Sequence, residues 1–289
     1  MSISTGCDPA VIRLRPRLWP NRPCPTPQGV SVRRTVLPVI TASLLVPLLA
    51  ACGSENGGTG SQAGEERGTT KITVLAAASL TDVFTAAGAA YEKEHAGTEV
   101  TFSFNGSQEL ASQVRQGVPA DALVTADTKT MDGLKENTGD PVVIAKNRLT
   151  IATASGNPEK IDGLKDLSRS GLKVVLAAPE VPVGRYSQKI LDGAGVKVRA
   201  VSQEPNVRAV LSKVELGEAD AGLVYVTDAA AAGGKVSTVA VPDAQNAVAS
   251  YPAAVLDDSE HREEASDFVR WLASPKAQKL LRDAGFQAP

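Results

Sequence analysis

Cysteine stops early in this 289-residue chain: Cys7, Cys24 and Cys52 are the only three. Whatever folds beyond position 52 therefore has no disulfide, no thiolate nucleophile and no cysteine-ligated metal. Histidine is almost as scarce. His95 stands where a helical pattern ends before Gly97, His261 stands in a charged helical stretch, and neither accompanies a serine motif. A serine nucleophile needs a base beside it, so the composition argues against a hydrolase. A His/Cys/carboxylate cluster with metal-ligand spacing is missing as well.

Positive charge is also short. Of 30 basic and 32 acidic residues, six arginines and one aspartate fall within residues 1–51, which leaves 24 against 31. A nucleic-acid surface needs the opposite balance. An anionic ligand would have to be held by local geometry against the global charge.

An uninterrupted membrane span is the last absence. "VRRTVLPVITASLLVPLLAACGS" offers two arginines, an apolar run over residues 35–51 broken by Pro38 and Pro47, and a cysteine after small residues. Crossing a bilayer takes roughly 20 apolar residues, so residues 1–51 read as an export signal. Arg33 and Arg34 fit either the general or the twin-arginine route. Leu49-Ala50-Ala51-Cys52 resembles the lipobox of bacterial lipoproteins, which implies lipidation of Cys52. The residues before Val30 are long for the start of such a signal, and initiation at Val30 or Val32 is expected instead. Residues 52–70, rich in Gly, Ser, Thr and Glu, carry too little apolar surface to fold and are expected to form a lipid-anchored flexible linker.

What remains is an alternation. "KITVLA", "EVTFSF", "DALVTA", "RLTIATA", "KVVLAA", "VKVRAVS", "AGLVYV" and "KVSTVAV" read as strands, separated by helical patterns such as "LTDVFTAAGAAYEKEH", "QELASQVRQ" and the stretches 185–191 and 207–216. Short apolar strands alternating with helices predict an α/β fold with mostly parallel sheets. "AVASYPAAVL" adds a late strand, and "EEASDFVRWLAS" and "SPKAQKLLRDAGF" close the chain as helices. That ending predicts a return to the first half. The expected arrangement is two lobes, 71–146 completed by 249–289 and 147–248, with a ligand cleft between them at the strand ends.

Four strand-to-helix junctions carry polar groups suited to an anion. Ser79, with Asp82 three residues on, reads first as a helix cap. Ser107 follows Gly106 after "TFSF" and reads first as a turn. Pro182-Val183-Gly184 and Pro205-Asn206-Val207 mark helix starts, where free N–H groups and the positive end of the helix dipole coincide. Tyr225 ends an apolar strand, and its hydroxyl either faces the cleft or finds a partner in the core. Asp127 reads as a helix cap rather than a ligand.

The blocks "KITVLAAASLTDVF", "FNGSQELASQVRQGVPADALVTADTKTMD", "PEVPVGRYSQKIL", "NVRAVLSKVELGEADAGLVYVTDA" and "YPAAV" together resemble the periplasmic molybdate-binding proteins of ABC importers. The resemblance implies a two-lobed periplasmic-binding-protein fold of type II and a tetrahedral oxyanion, molybdate or tungstate, in the cleft. It implies two serine hydroxyls, backbone N–H groups and a tyrosine hydroxyl as its holders, which fall on Ser79, Ser107, Val183, Val207 and Tyr225. It further implies a monomer that hands its ligand to a membrane permease, with no cofactor and no nucleic acid. The chain departs from the family pattern in Gln108 after the second serine and in the bulk of Val183, which bears on the choice among oxyanions. Sulfate or phosphate binding is the main alternative; a regulator's effector half would need a DNA-binding segment where the chain has a signal and a linker.

Overall fold

The computed structural model describes residues 69–289. The export signal, Cys52 and the linker up to residue 68 lie outside the described residues. The order is β1 (Thr70–Ala77), α1 (Thr81–Glu94), β2 (Thr98–Asn105), α2 (Ser107–Arg115), β3 (Ala122–Val124), α3 (Thr128–Asp132) and β4 (Val142–Ala154). There follow β5 (Val174–Ala177), α4 (Pro182–Gly193), β6 (Ser202–Glu204), α5 (Val207–Glu215), β7 (Ala221–Tyr225), α6 (Val226–Ala231), β8 (Val236–Ala240), β9 (Val248–Val255), α7 (Arg262–Trp271) and α8 (Pro275–Asp283).

The expected βαβ units are present. β1 pairs in parallel with β2 and β3, and β5 pairs in parallel with β6 and β7. Central parallel strands are covered on both faces, which is why Val74, Leu75, Ala76 and Ala77 form an unbroken apolar run buried to 2% exposure or less. The antiparallel pairings all involve β4 or β9, so each sheet is mixed. β4 belongs to both sheets: residues 142–148 pair with β9, and from Leu149 onward the same strand pairs with β7 and β8. The full order is β2-β1-β3-β9-β4-β7-β5-β6, with β8 also on β4.

Two expectations are corrected. "VKVRAVS" is not a strand; β6 begins only at Ser202. Its one partner, β5, starts at Val174, which pairs with nothing earlier than Val201 on that side, so the upstream residues have no ladder to join. His261 lies at the N-cap of α7 rather than inside a helix.

The last helices pack back onto the first sheet through aromatic contacts. Phe268 of α7, fully buried, has its ring centroid 5.1 Å from Tyr91, 6.1 Å from Phe102 and 6.5 Å from Phe84. Edge and tilted ring contacts of this kind add to the area each ring buries. Among the described residues, no helix is long and apolar enough to cross a membrane. Phe268→Ala should lower stability by about 3–5 kcal/mol, read by urea unfolding of the ligand-free protein. A loss below about 1 kcal/mol, outside the range of large-to-small core changes, would show that this cluster does not fasten the chain's end.

Candidate functional site

Every polar junction singled out in the sequence sits at the carboxyl end of a parallel strand, where α/β sheets present ligands. Ser79 follows β1, Ser107 opens α2 after β2, Val183 is the second residue of α4 after β5, Val207 opens α5 after β6, and Tyr225 is the last residue of β7. Ser79, Ser107, Val183, Val207 and Tyr225 all line one small, tight cavity of about 10 Å³. Asn105 and Asn206 complete its polar rim, and no charged side chain lines it.

Ser79 is not the helix cap its position foretold. It lies in a 3-10 turn, Ala78–Leu80; α1 starts at Thr81, with Leu80 at the N-cap and no side-chain cap. The hydroxyl instead lies 2.9 Å from the Tyr251 hydroxyl, and Asn147 Nδ2 stands 3.5 Å from the same phenol. When Asn147 donates to Tyr251 and Tyr251 donates to Ser79, the Ser79 proton is left for the cavity. Burial pushes the Tyr251 phenol far up its range, so it stays protonated. Ser107 Oγ accepts from the Ala126 N–H at 3.0 Å. Its own O–H remains free to donate.

The two backbone positions are bare for helical reasons. No side chain caps α4, Pro182 has no N–H to offer, and the N–H of Val183 has no intrahelical acceptor. Gly184 is required beside it, because a Cβ there would come within 2.0 Å of the Ala178 carbonyl oxygen. On α5, Asn206 spends its side-chain oxygen on the Ala209 N–H at 3.0 Å, which leaves the earlier N–H of Val207 uncapped. Asn105 likewise engages its oxygen, accepting from the Gly106 N–H at 2.8 Å.

Tyr225 is 1% exposed, and its hydroxyl has no hydrogen-bond partner among the described residues. Burial raises its pKa well above the ordinary phenol value, so the group is a neutral donor at any physiological pH. The alternative of a core tyrosine satisfied by backbone does not hold.

Gln108, flagged for its bulk, does not line the cavity; its amide donates to the Pro205 carbonyl at 2.8 Å. Gly106 opposite lets that approach happen, since a Cβ there would lie 2.4 Å from the same oxygen. Asp127 caps α3 through the Thr130 N–H at 3.0 Å, and also pairs with Arg185 of α4. Sequence reasoning missed Tyr251, Arg185 and Arg208, whose partners Ser79, Asp127 and Asp82 lie on other elements of the fold. His95 bonds the Tyr91 carbonyl, and His261 borders a separate pocket beside Asp121. Neither borders the serine cavity. Among the described residues, no group of three or more His, Cys, Asp or Glu could hold a metal.

A small donor-lined cavity at the strand ends of two mixed sheets that share one strand fits a binding protein of the periplasmic-binding-protein fold. The family model for bacterial extracellular solute-binding proteins matches residues 72–287, and the chain belongs to that family, whose members work outside the cytoplasm. Over 253 residues it is 40% identical to the molybdate-binding protein ModA of Mycobacterium tuberculosis, covering 86% of this chain and 97% of that one. It is 34% identical to ModA of Haemophilus influenzae over 231 residues, 75% of this chain and 90% of the relative. The periplasmic molybdate-binding protein of Azotobacter vinelandii shares the fold, with a TM-score of 0.67 at 20% identity over 75% of this chain and 99% of the other.

The unpartnered phenol yields a direct test. Tyr225→Phe should leave the ligand-free unfolding free energy unchanged or slightly raised, because the hydroxyl makes no internal bond that its removal would break. A loss of about 1 kcal/mol or more, the worth of a made hydrogen bond, would show that the protein itself satisfies the group.

Proposed function

We propose that this protein captures molybdate, and tungstate with it, outside the cytoplasm and delivers the ion to an ABC-type permease. The observation that carries the reading is the cavity itself: Ser79, Ser107, Val183, Val207 and Tyr225 meet there with protons to donate, and no charged side chain takes part. The hydroxyls of Ser79, Ser107 and Tyr225 and the N–H groups of Val183 and Val207 hold the oxyanion.

Burying a dianion without partners costs tens of kcal/mol. Each hydrogen bond to the ion returns about 1.5–3 kcal/mol, and the ends of α4 and α5 add their dipoles. Neutral donors also discriminate by protonation state. An oxyanion that still carries a proton offers one fewer charged oxygen to a site whose backbone N–H groups can only donate. Phosphate, partly protonated at neutral pH, is therefore disfavoured, and sulfate, the smaller ion, is disfavoured because it cannot bring its oxygens to all the donors at once. No base accompanies either serine, so the ion is bound and released unchanged and the protein is not an enzyme.

The two lobes are residues 71–146 with 249–289, and 147–248. They hinge where β4 passes from one sheet to the other, and ligand binding favours the closed form because donors from both lobes reach the ion only there. The mature protein is a monomer held at the membrane by lipid on Cys52, and the linker lets the lobes reach the permease.

In a thermal-shift panel of molybdate, tungstate, sulfate and phosphate, the first two at 100 times their dissociation constant should add about 2.7 kcal/mol of stability. Sulfate and phosphate should add nothing; equal shifts with sulfate would overturn the selectivity. Tyr225→Phe should weaken molybdate binding about 10- to 100-fold, the worth of one hydrogen bond to a charged group. Unchanged affinity would remove Tyr225 from the site.

A further inference from the structure

Arg208 does not line the cavity, yet it follows Val207 directly and touches the turns that carry two other donors. Its Nη2 donates to Asp82 Oδ2 at 2.5 Å, and Asp82 stands three residues after Ser79 at the start of α1. Its Nε lies 2.9 Å from Asp228 Oδ1, an ion pair that is not aligned as a hydrogen bond, and Asp228 stands three residues after Tyr225 in α6. Asp82 and Arg208 line a neighbouring pocket that shares Ser79 with the donor cavity. The Asp228 side chain is fully buried, whereas that of Asp82 is 62% exposed. Burial pushes the Asp228 carboxyl up to about 7, and the nearby Arg208 guanidinium opposes that shift.

We propose that Arg208 is a positioning residue for oxyanion binding, a planar fork that fixes the turns bearing Ser79, Val207 and Tyr225 relative to one another. This rests on the molybdate reading above. A guanidinium can address two carboxylates in two directions at once, and a lysine ammonium at the end of a flexible stem cannot hold both in a fixed geometry. Because Asp82 belongs to an element of the first sheet and Arg208 to one of the second, the Asp82 contact exists only while the turns are assembled. The device therefore acts on release more than on capture.

The sign of one substitution separates positioning from plain electrostatics. Asp82→Asn removes a negative charge near a dianion, so a purely electrostatic role would tighten binding. A positioning role loosens it. In the full protein, molybdate affinity of Asp82→Asn measured by calorimetry should fall about three- to fivefold, the scale of an exposed ion pair. Arg208→Lys, which keeps the charge, should weaken binding about tenfold through faster dissociation with association little changed. Asp82→Asn binding as tightly as wild type, or tighter, overturns the proposal, as does Arg208→Lys with wild-type dissociation. Because Asp82 is exposed, its variant folds even if an Arg208 variant does not. Wild-type protein that fails to bind molybdate would instead overturn the underlying reading, so the two failures are told apart.

Discussion

A buried donor with no partner is a cost the ligand-free protein carries until something accepts its proton. Tyr225 sets that constraint most sharply: its hydroxyl is enclosed, remains protonated, and finds no acceptor among the described residues. An unsatisfied buried polar group costs on the order of 1–3 kcal/mol. The helix starts at Val183 and Val207 add N–H groups that lack intrahelical acceptors. A chamber lined in this way favours whatever brings several acceptor oxygens and no protons of its own, which is the description of a deprotonated oxyanion.

The fold explains how separate pieces of chain reach one small volume. Parallel strands point the same way, so the turns after β1, β2, β5, β6 and β7 fall at strand ends facing the cavity. Apolar runs on the strands and the faces of α1, α4 and α5 supply the burial that fixes those turns. Outside the cavity, Arg185 with Asp127 and Arg208 with Asp82 pair across elements of the two sheets, and Gln108 reaches Pro205. A lysine or arginine inside the cavity would bind any anion, whereas oriented O–H and N–H groups read the number of acceptors.

Much of this arrangement was legible in residue order, because strand periodicity and helix-start chemistry are local. "KITVLA", "EVTFSF" and the helix starts at Pro182 and Asn206 follow from short-range rules, and the structure shows them close to the expected bounds. Ser79 misled because a serine ahead of an acidic residue is the ordinary signature of a cap. Its real partner, Tyr251, lies 172 residues away. The Arg208 contacts with Asp82 and Asp228 were hidden too, since nothing in a run of letters shows which surface an arginine meets. "VKVRAVS" carried a strand pattern but had no neighbouring strand to pair with, and pairing is a property of the sheet rather than of the segment.

The central claim is that uncharged donors from both halves of the molecule enclose one deprotonated ion. A crystal grown with molybdate and phased on the molybdenum signal tests it most directly. The account requires a single metal peak in the cavity, with its oxygens about 2.7–3.2 Å from Ser79 Oγ, Ser107 Oγ, the Val183 and Val207 nitrogens and the Tyr225 hydroxyl. A peak outside that cavity, or an ion gripped chiefly by lysine and arginine side chains, would contradict it.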